Sequence, residues 1–67
     1  MNQVNQSSIV QLSGYRGWIV GVSCSPTAEY CCWAIAPNLL VLNNGERYGT
    51  SSAAMAAGRS FVERHSR

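Results

Sequence analysis

The chain offers three thiols, one imidazole and three carboxylates as groups that could do chemistry. Nucleophilic catalysis would have to combine Cys24, Cys31 or Cys32 with His65 as the base. His65 stands near the end of the chain, where fraying works against the fixed geometry that a catalytic base needs. The carboxylates fall in three separate predicted elements: Glu29, Glu46 and Glu63. We therefore predict that the protein is not an enzyme.

The same residues do not form a metal or cofactor site. Three cysteines without a CxxC pair make a poor disulfide framework and a poor zinc site. Cys31 and Cys32 are adjacent, so in an extended strand their side chains point to opposite faces and cannot hold one ion. We interpret the thiols as small buried hydrophobes, with a redox-sensitive or intersubunit contact as the alternative. No glycine-rich phosphate loop precedes a helix, and we expect neither metal nor cofactor.

The cationic groups are all arginine. Five Arg against three Glu give a net charge of +2. Arginine contacts phosphate and guanine, and aromatic side chains stack on bases, so nucleic-acid binding is an alternative function. A charge of +2 is a weak electrostatic footprint, because phosphate contacts dominate such affinities. The candidate nucleic-acid contacts are Arg16, Arg47, Arg59 and Arg64.

Length and composition favour association. A chain of 67 residues buries only about 60% of the surface that its unfolded form exposes, and only 12% of these residues are charged. A surface with so little charge does not keep copies apart. No apolar run approaches the roughly 18–20 residues of a membrane span, and residues 1–8 lack the basic residues of a secretory signal. These features predict a cytoplasmic protein that does not enter a membrane.

The N-terminal part of the chain predicts one strand with a clear core face. We interpret residues 1–12 as a flexible tail or a short edge strand, and residues 13–67 as a single β-β-β-α domain. Residues 15–24 alternate as a strand, with one face that is apolar throughout: Trp18, Val20 and Val22. The opposite face carries two glycines, which indicates either a twist in a small sheet or a surface that a partner approaches closely.

The remaining elements follow after a turn at residues 25–28. Residues 29–36 form an almost wholly apolar second strand, and residues 39–42 form a third. Asn43-Asn44-Gly45 predicts a hairpin that returns through residues 46–48. A helix should then run over residues 52–64, capped by the Thr50 cluster, with its apolar stripe at Ala54, Ala57, Gly58, Phe61 and Val62. The predicted fold class is α+β, an antiparallel sheet of three to four strands packed on one C-terminal helix.

The apolar second strand also predicts an interface. A single helix covers one face of the sheet, so either Trp33 and Ile35 or Tyr30 and Cys32 must be exposed on the other. We therefore expect a homodimer, and a non-enzymatic module that binds protein through its exposed sheet face. Aromatic and arginine side chains dominate interface energies. They supply the candidate interface residues: Tyr15, Arg16, Tyr30, Trp33 and Tyr48.

Short strings in the chain resemble known families. Tyr15-Arg16-Gly17, the strand from Trp33 to Pro37, and Arg47-Tyr48-Gly49-Thr50 before the alanine-rich helix resemble plant ethylene-response-factor domains and phage integrase arm-binding domains. The resemblance covers most of residues 15–62 and implies a three-stranded sheet, backed by one helix, that binds DNA. Where such sheets carry basic residues, this chain has Val20, Val22, Cys31 and Cys32. The stretch from Ala56 to Glu63 also resembles small bacterial proteins, of cyanobacterial type, with no known activity.

Overall fold

The structure, a computed structural model, describes residues 8–66. Its elements are β1 (Ser8–Tyr15), β2 (Trp18–Cys24), β3 (Tyr30–Ile35), β4 (Val41–Asn43) and α1 (Ser51–His65). The strands form one antiparallel sheet in the order β1-β2-β3-β4, and α1 packs on one face, mainly against β2 and β3. This confirms the predicted α+β fold of a sheet on one C-terminal helix. The predicted tail lies mostly outside the described residues, and its boundary at residue 12 falls inside β1.

The prediction of one strand over residues 15–24 is wrong at its start, because the chain reverses there. Arg16 and Gly17 have φ angles of 56° and 85°. Two successive residues in this region form the tight turn of a two-residue hairpin, whose twist matches that of the flanking strands. Tyr15 pairs with Trp18 across the turn. A positive φ at arginine has no sequence signature, which is why the alternation predicts a strand that runs through Tyr15, Arg16 and Gly17.

The predicted hairpin at Asn43-Asn44-Gly45 is also wrong, because the chain does not reverse at this point. Asn43 pairs with Trp33 of β3. Tyr48 bridges to Tyr30, which is also in β3, and this bridge is antiparallel as well. Between them, the Asn43 and Asn44 side chains accept bonds from backbone N–H groups two residues ahead. These local bonds loop the backbone outward and then let it continue beside β3.

The strand predicted over residues 39–42 is β4 in the structure. It starts at Val41, two residues later than predicted. A tight turn follows β3, in which the Leu39 N–H donates to the Ala36 carbonyl at 2.8 Å and the Ala36 N–H donates to the Leu40 carbonyl at 2.9 Å. Leu39 has a φ of 72°, which is a strained conformation for a leucine. The turn leaves Leu39 and Leu40 on the surface.

The core lies between the sheet and α1. The predicted core face of β2 is confirmed, since Trp18, Val20 and Val22 are all buried. The Thr50 side chain caps α1 by accepting from the Ala53 N–H at 3.1 Å. Met55 is buried, although the predicted apolar stripe left it out. The buried residues of α1 are Ala54, Met55, Gly58, Phe61 and Val62.

Candidate functional site

The sheet has one face that no part of the described chain covers. The register places alternate residues of the four strands on the side away from α1, and we call this side the open face. Its side chains lie in three rows across the strands. These rows are Ile9, Ser23 and Cys31; Leu12, Gly21, Trp33 and Asn43; and Gly14, Ile19, Ile35 and Val41.

The open face is mostly apolar, with Ser23 and Asn43 as its polar residues, and carries no charged residue. Ile9 and Leu12 are each 60% exposed, Val41 is 62% exposed and Ile19 is 45% exposed. Leu39 and Leu40, in the turn between β3 and β4, add further exposed apolar surface beside it. A folded chain that stays alone rarely shows a continuous apolar patch of more than a few hundred Å². The open face therefore has the composition of a contact surface.

Trp33 lies flat across the open face in a position that Gly21 creates. A Cβ atom added at Gly21 would overlap the six-membered ring of the Trp33 indole, so only glycine leaves room for the ring there. The indole Nε1–H donates to the Ser23 Oγ at 2.9 Å, which fixes the direction of the ring. The result is a rigid aromatic surface on an inner strand of the sheet. A large ring held in this way loses little side-chain entropy when a partner packs on it.

A shallow depression of about 360 Å³ adjoins the indole on the same side of the sheet. The half-buried Cys31 contributes to its wall, and Arg47 lies at its rim. The Arg47 guanidinium pairs with Glu29 at 3.3 Å, in an exposed contact that contributes little to stability. The depression is lined by Ser23, Ser25, Cys31, Cys32, Trp33, Asn43, Gly45, Glu46 and Arg47. It is wide enough to receive a side chain from a docked surface.

The structure does not bring the five predicted interface residues together. Only Trp33 belongs to the open face. Tyr30 and Tyr48 pack against the buried core, and the Asn44 amide donates to the Tyr48 hydroxyl at 2.9 Å. The hydroxyl of Tyr15 donates to Glu63 of the helix.

Several open-face residues were not among the predicted interface residues: Ile9, Leu12, Ile19 and Val41. Their signal was present in the sequence as apolar residues at alternate positions of the strands. Only the register, however, shows that these positions share a face with Trp33.

The four candidate arginines are also dispersed. Arg16 and Arg59 approach the Tyr15 ring, with their guanidinium carbons 5.7 Å and 5.9 Å from its centroid. Arg64 lies in the last turn of α1, where its charge suits the helix dipole. None of these side chains belongs to the open face, and Arg47 is paired at the rim of the depression.

The thiols and the imidazole are separate groups in the structure. All three cysteines are free, and burial raises the pKa of Cys32, while a backbone hydrogen bond lowers it and the nearby Cys31 raises it. His65 donates from Nδ1 to the Phe61 carbonyl at 2.9 Å and stacks on the Phe61 ring, which ties it to the helix end. Within residues 8–66, no three His, Cys, Asp or Glu side chains are placed to share a metal ion. No helix in that range has the length and apolarity to cross a bilayer.

Comparisons with known proteins add nothing to this geometry. No family model matches the chain, and neither a curated protein nor a solved structure matches it. The fold and the site define a small α+β domain with one sheet face covered by a helix and the other mostly apolar and not covered by any of residues 8–66.

Proposed function

We propose that the protein is a non-enzymatic protein-interaction module that associates with itself by packing the open face of one copy on the open face of another. The observation that carries this proposal is the continuous apolar surface around Trp33, which no described part of the chain covers. Burying such surface is the main favourable contribution to most protein association. A partner that covers it removes several half-exposed isoleucine, leucine and valine side chains from water.

A second copy fits this surface because the open face itself is uncharged, and because Glu46 and Arg47 beside it carry opposite charges. Two identical faces related by a two-fold axis bring identical residues close together, and like charges there would repel. The projected area is of the right order, since strands of three to eight residues set about 4.8 Å apart present about 400 Å² per copy. The accessible area exceeds this projection, and the exposed leucines between β3 and β4 extend it. Two copies therefore contribute more than about 800 Å², close to the roughly 1,000 Å² of a specific interface.

The free thiols support a cytoplasmic location for this module. An uneven set of three unpaired cysteines suits a reducing compartment, where disulfides do not form. We therefore place the protein in the cytoplasm as part of the same proposal.

The experiment that tests the open face is a charge substitution on it. Ile19→Glu places a carboxylate between Gly14 and Ile35, where the packed copies would exclude water. We expect the wild-type chain to have at least the mass of a dimer at micromolar concentration in light scattering, and Ile19→Glu to have the mass of a monomer. Since Ile19 is 45% exposed, the variant should keep its circular dichroism spectrum and melt cooperatively.

Ala56→Glu is the matched control, because it adds the same charge on the exposed side of α1, across the molecule from the open face. This variant should associate as the wild-type chain does. A wild-type chain that remains monomeric over about a hundredfold range of concentration would contradict the proposal. So would an Ile19→Glu variant that assembles like the control.

Nucleic-acid binding is the second candidate, and one observation favours it. Arg16 and Arg59 approach the same aromatic ring and so concentrate positive charge at one corner of the molecule. Glu63, which accepts from the Tyr15 hydroxyl, offsets part of this charge. The resemblance to DNA-binding sheet domains remains a prediction. Such domains bind DNA through their sheet, and the open face of the sheet has no cation here.

A further inference from the structure

The outer edge of β1 is a second surface that has no partner among residues 8–66. In residues 8–66, β1 has a neighbour only on the β2 side, and α1 packs mainly on β2 and β3. β1 spans eight residues, contains no proline and carries no charge. Natural proteins protect such edges with charges, prolines or short strands, because an open edge pairs with other chains. β4, at the opposite edge, has this protection, since it spans only three residues.

The hairpin turn fixes which backbone groups of β1 point outward. Tyr15 and Trp18 flank a two-residue turn and therefore form a hydrogen-bonded pair. Hydrogen-bonded and non-hydrogen-bonded pairs alternate along an antiparallel ladder, so Ser13 also bonds to β2. Leu12 and Gly14 then direct their N–H and C=O groups away from β2. Within residues 8–66, the Gly14 carbonyl accepts one long bond, at 3.5 Å from the exposed Ser13 hydroxyl, and these outward groups are otherwise available to another strand.

We propose that β1 pairs with β1 of a second copy, antiparallel, about a two-fold axis at Ser13, which joins the two sheets into one. In this register, Leu12 of each copy lies opposite Gly14 of the other, and the two residues exchange backbone hydrogen bonds. Both positions are on the open face. Because nothing lies within 4 Å of a Cβ built at Gly14, the leucine side chain finds room above the glycine of the other copy.

A second copy of β1 suits this edge better than a charged strand would, because both strands are neutral and the bonding groups are self-complementary. The β-bulge between Ile9 and Gln11 limits the pairing to the segment around Ser13. The Arg16 residues of the two copies lie three positions beyond the axis on opposite sides, about 20 Å apart, so their charges do not meet. Each feature favours a short, symmetric contact.

The edge contact is too small to hold a dimer by itself at low concentration. A pairing of so few residues buries less than the roughly 1,000 Å² of an independent specific interface. Combined with the open-face contact, it closes two dimers into a tetramer with two kinds of two-fold contact. The tetramer rests on the proposed open-face association, whereas the edge pairing itself does not.

Two substitutions at one position test the edge. Gly14→Pro removes an outward N–H and should leave the β1–β2 ladder intact, since proline is tolerated on strand edges. Gly14→Ala keeps the N–H and adds one methyl group, for which the folded chain has room. Alanine opposite leucine is an ordinary cross-strand pair, with Cβ atoms about 5 Å apart, so this variant is the matched control. We expect the wild-type chain and Gly14→Ala to reach tetramer mass at high protein concentration, and Gly14→Pro to stop at the dimer. Equal masses for the two variants would overturn the edge pairing.

Amide hydrogen exchange separates this proposal from that of the open face. The Leu12 N–H should be slowed as wild-type concentration rises, and should exchange fast in Gly14→Pro at every concentration. If Leu12 exchanges equally fast in both proteins while Ile19→Glu still dissociates the dimer, the edge pairing is wrong and the open-face contact stands. If Leu12 is protected in Ile19→Glu and the mass of that variant equals that of the wild type, the edge pairing stands and the open-face contact is wrong.

Discussion

At the scale of single residues, Gly21 and Trp33 form a complementary pair across two neighbouring strands. The missing side chain of one provides the space for the ring of the other, and Ser23 supplies the hydrogen bond that orients it. A tryptophan on an exposed sheet face would otherwise sample several rotamers and lose that freedom on binding. Here the side chain is ordered within the folded chain, so association costs less.

Cys32 provides a prediction about pH at this same scale. Burial raises its pKa above the ordinary 9.0, so the folded chain keeps the thiol proton at pH values where the unfolded chain has lost it. The folded state then binds more protons, and the free energy of unfolding falls as pH rises through this range. Well below pH 9.0 the contribution of the neutral thiol is complete, and it is lost as the pH rises through the raised pKa of the folded chain. Urea unfolding from about pH 8 to pH 10 should show this decline.

Cys32→Ala should flatten the pH dependence of stability, because it removes the titrating group, even though it also leaves a small cavity. Cys24→Ala keeps Cys32 and should retain the wild-type slope. The slope is compared rather than the absolute stability, so the cavity does not affect the result. A Cys32→Ala protein with the full wild-type slope would show that another group causes the fall in the free energy of unfolding at high pH.

At the scale of elements, the packing of α1 on the sheet depends on Gly58. A Cβ built there lies 2.5 Å from the Val20 Cγ1, and Val20 is fully buried. The helix therefore approaches β2 more closely than any other residue type at this position would allow. The short side chains of the first two helical turns are consistent with this close approach. Phe61 and Val62 then fill the space at the far end of the helix.

Gly58→Ala should destabilise the fold, although alanine favours a helix by about 1 kcal/mol relative to glycine. The added methyl group must displace Val20 or lift the helix, and overpacking of this kind costs about 1–3 kcal/mol. Ser60→Ala, on the exposed side of the same helix, should leave stability unchanged or slightly raised. Thermal and urea unfolding of the two variants measure the difference. A Gly58→Ala protein as stable as Ser60→Ala would mean that the helix has room to move.

At the scale of the whole molecule, charged side chains lie beside the open face and not on it. Among residues 8–66, the arginines lie in a turn, in the loop after β4 and along α1, while the open face has none. A nucleic-acid ligand would therefore meet few phosphate-binding groups on any one side. We expect no steep dependence on salt when the protein is titrated with duplex DNA, and weak binding even at low ionic strength. If binding at low salt falls sharply as salt rises, and Arg16→Ala with Arg59→Ala removes it, the nucleic-acid function is favoured instead.

The sequence by itself determined the elements whose signals are local. Alternation identified the buried face of β2, and the spacing of small and apolar residues, together with the Thr50 cap, located α1 within one residue at each end. Each of these patterns repeats over many residues, because the burial of one face of the element favours apolar or small residues at every position on that face. The uncovered sheet face also followed from the sequence, since one helix covers only one side of a sheet.

Only the tertiary structure decided where the chain turns and which residues share the open face. Arg16 reverses the chain with a positive φ that nothing in its type predicts, whereas Asn43-Asn44-Gly45, a strong turn signal, does not reverse it. The identity of a face depends on strand register, and a shift of one residue moves every side chain to the other side. Register is set by contacts between residues far apart in the chain. That is why Trp33 joins Ile9 and Val41 on the open face while Tyr30 packs toward the helix.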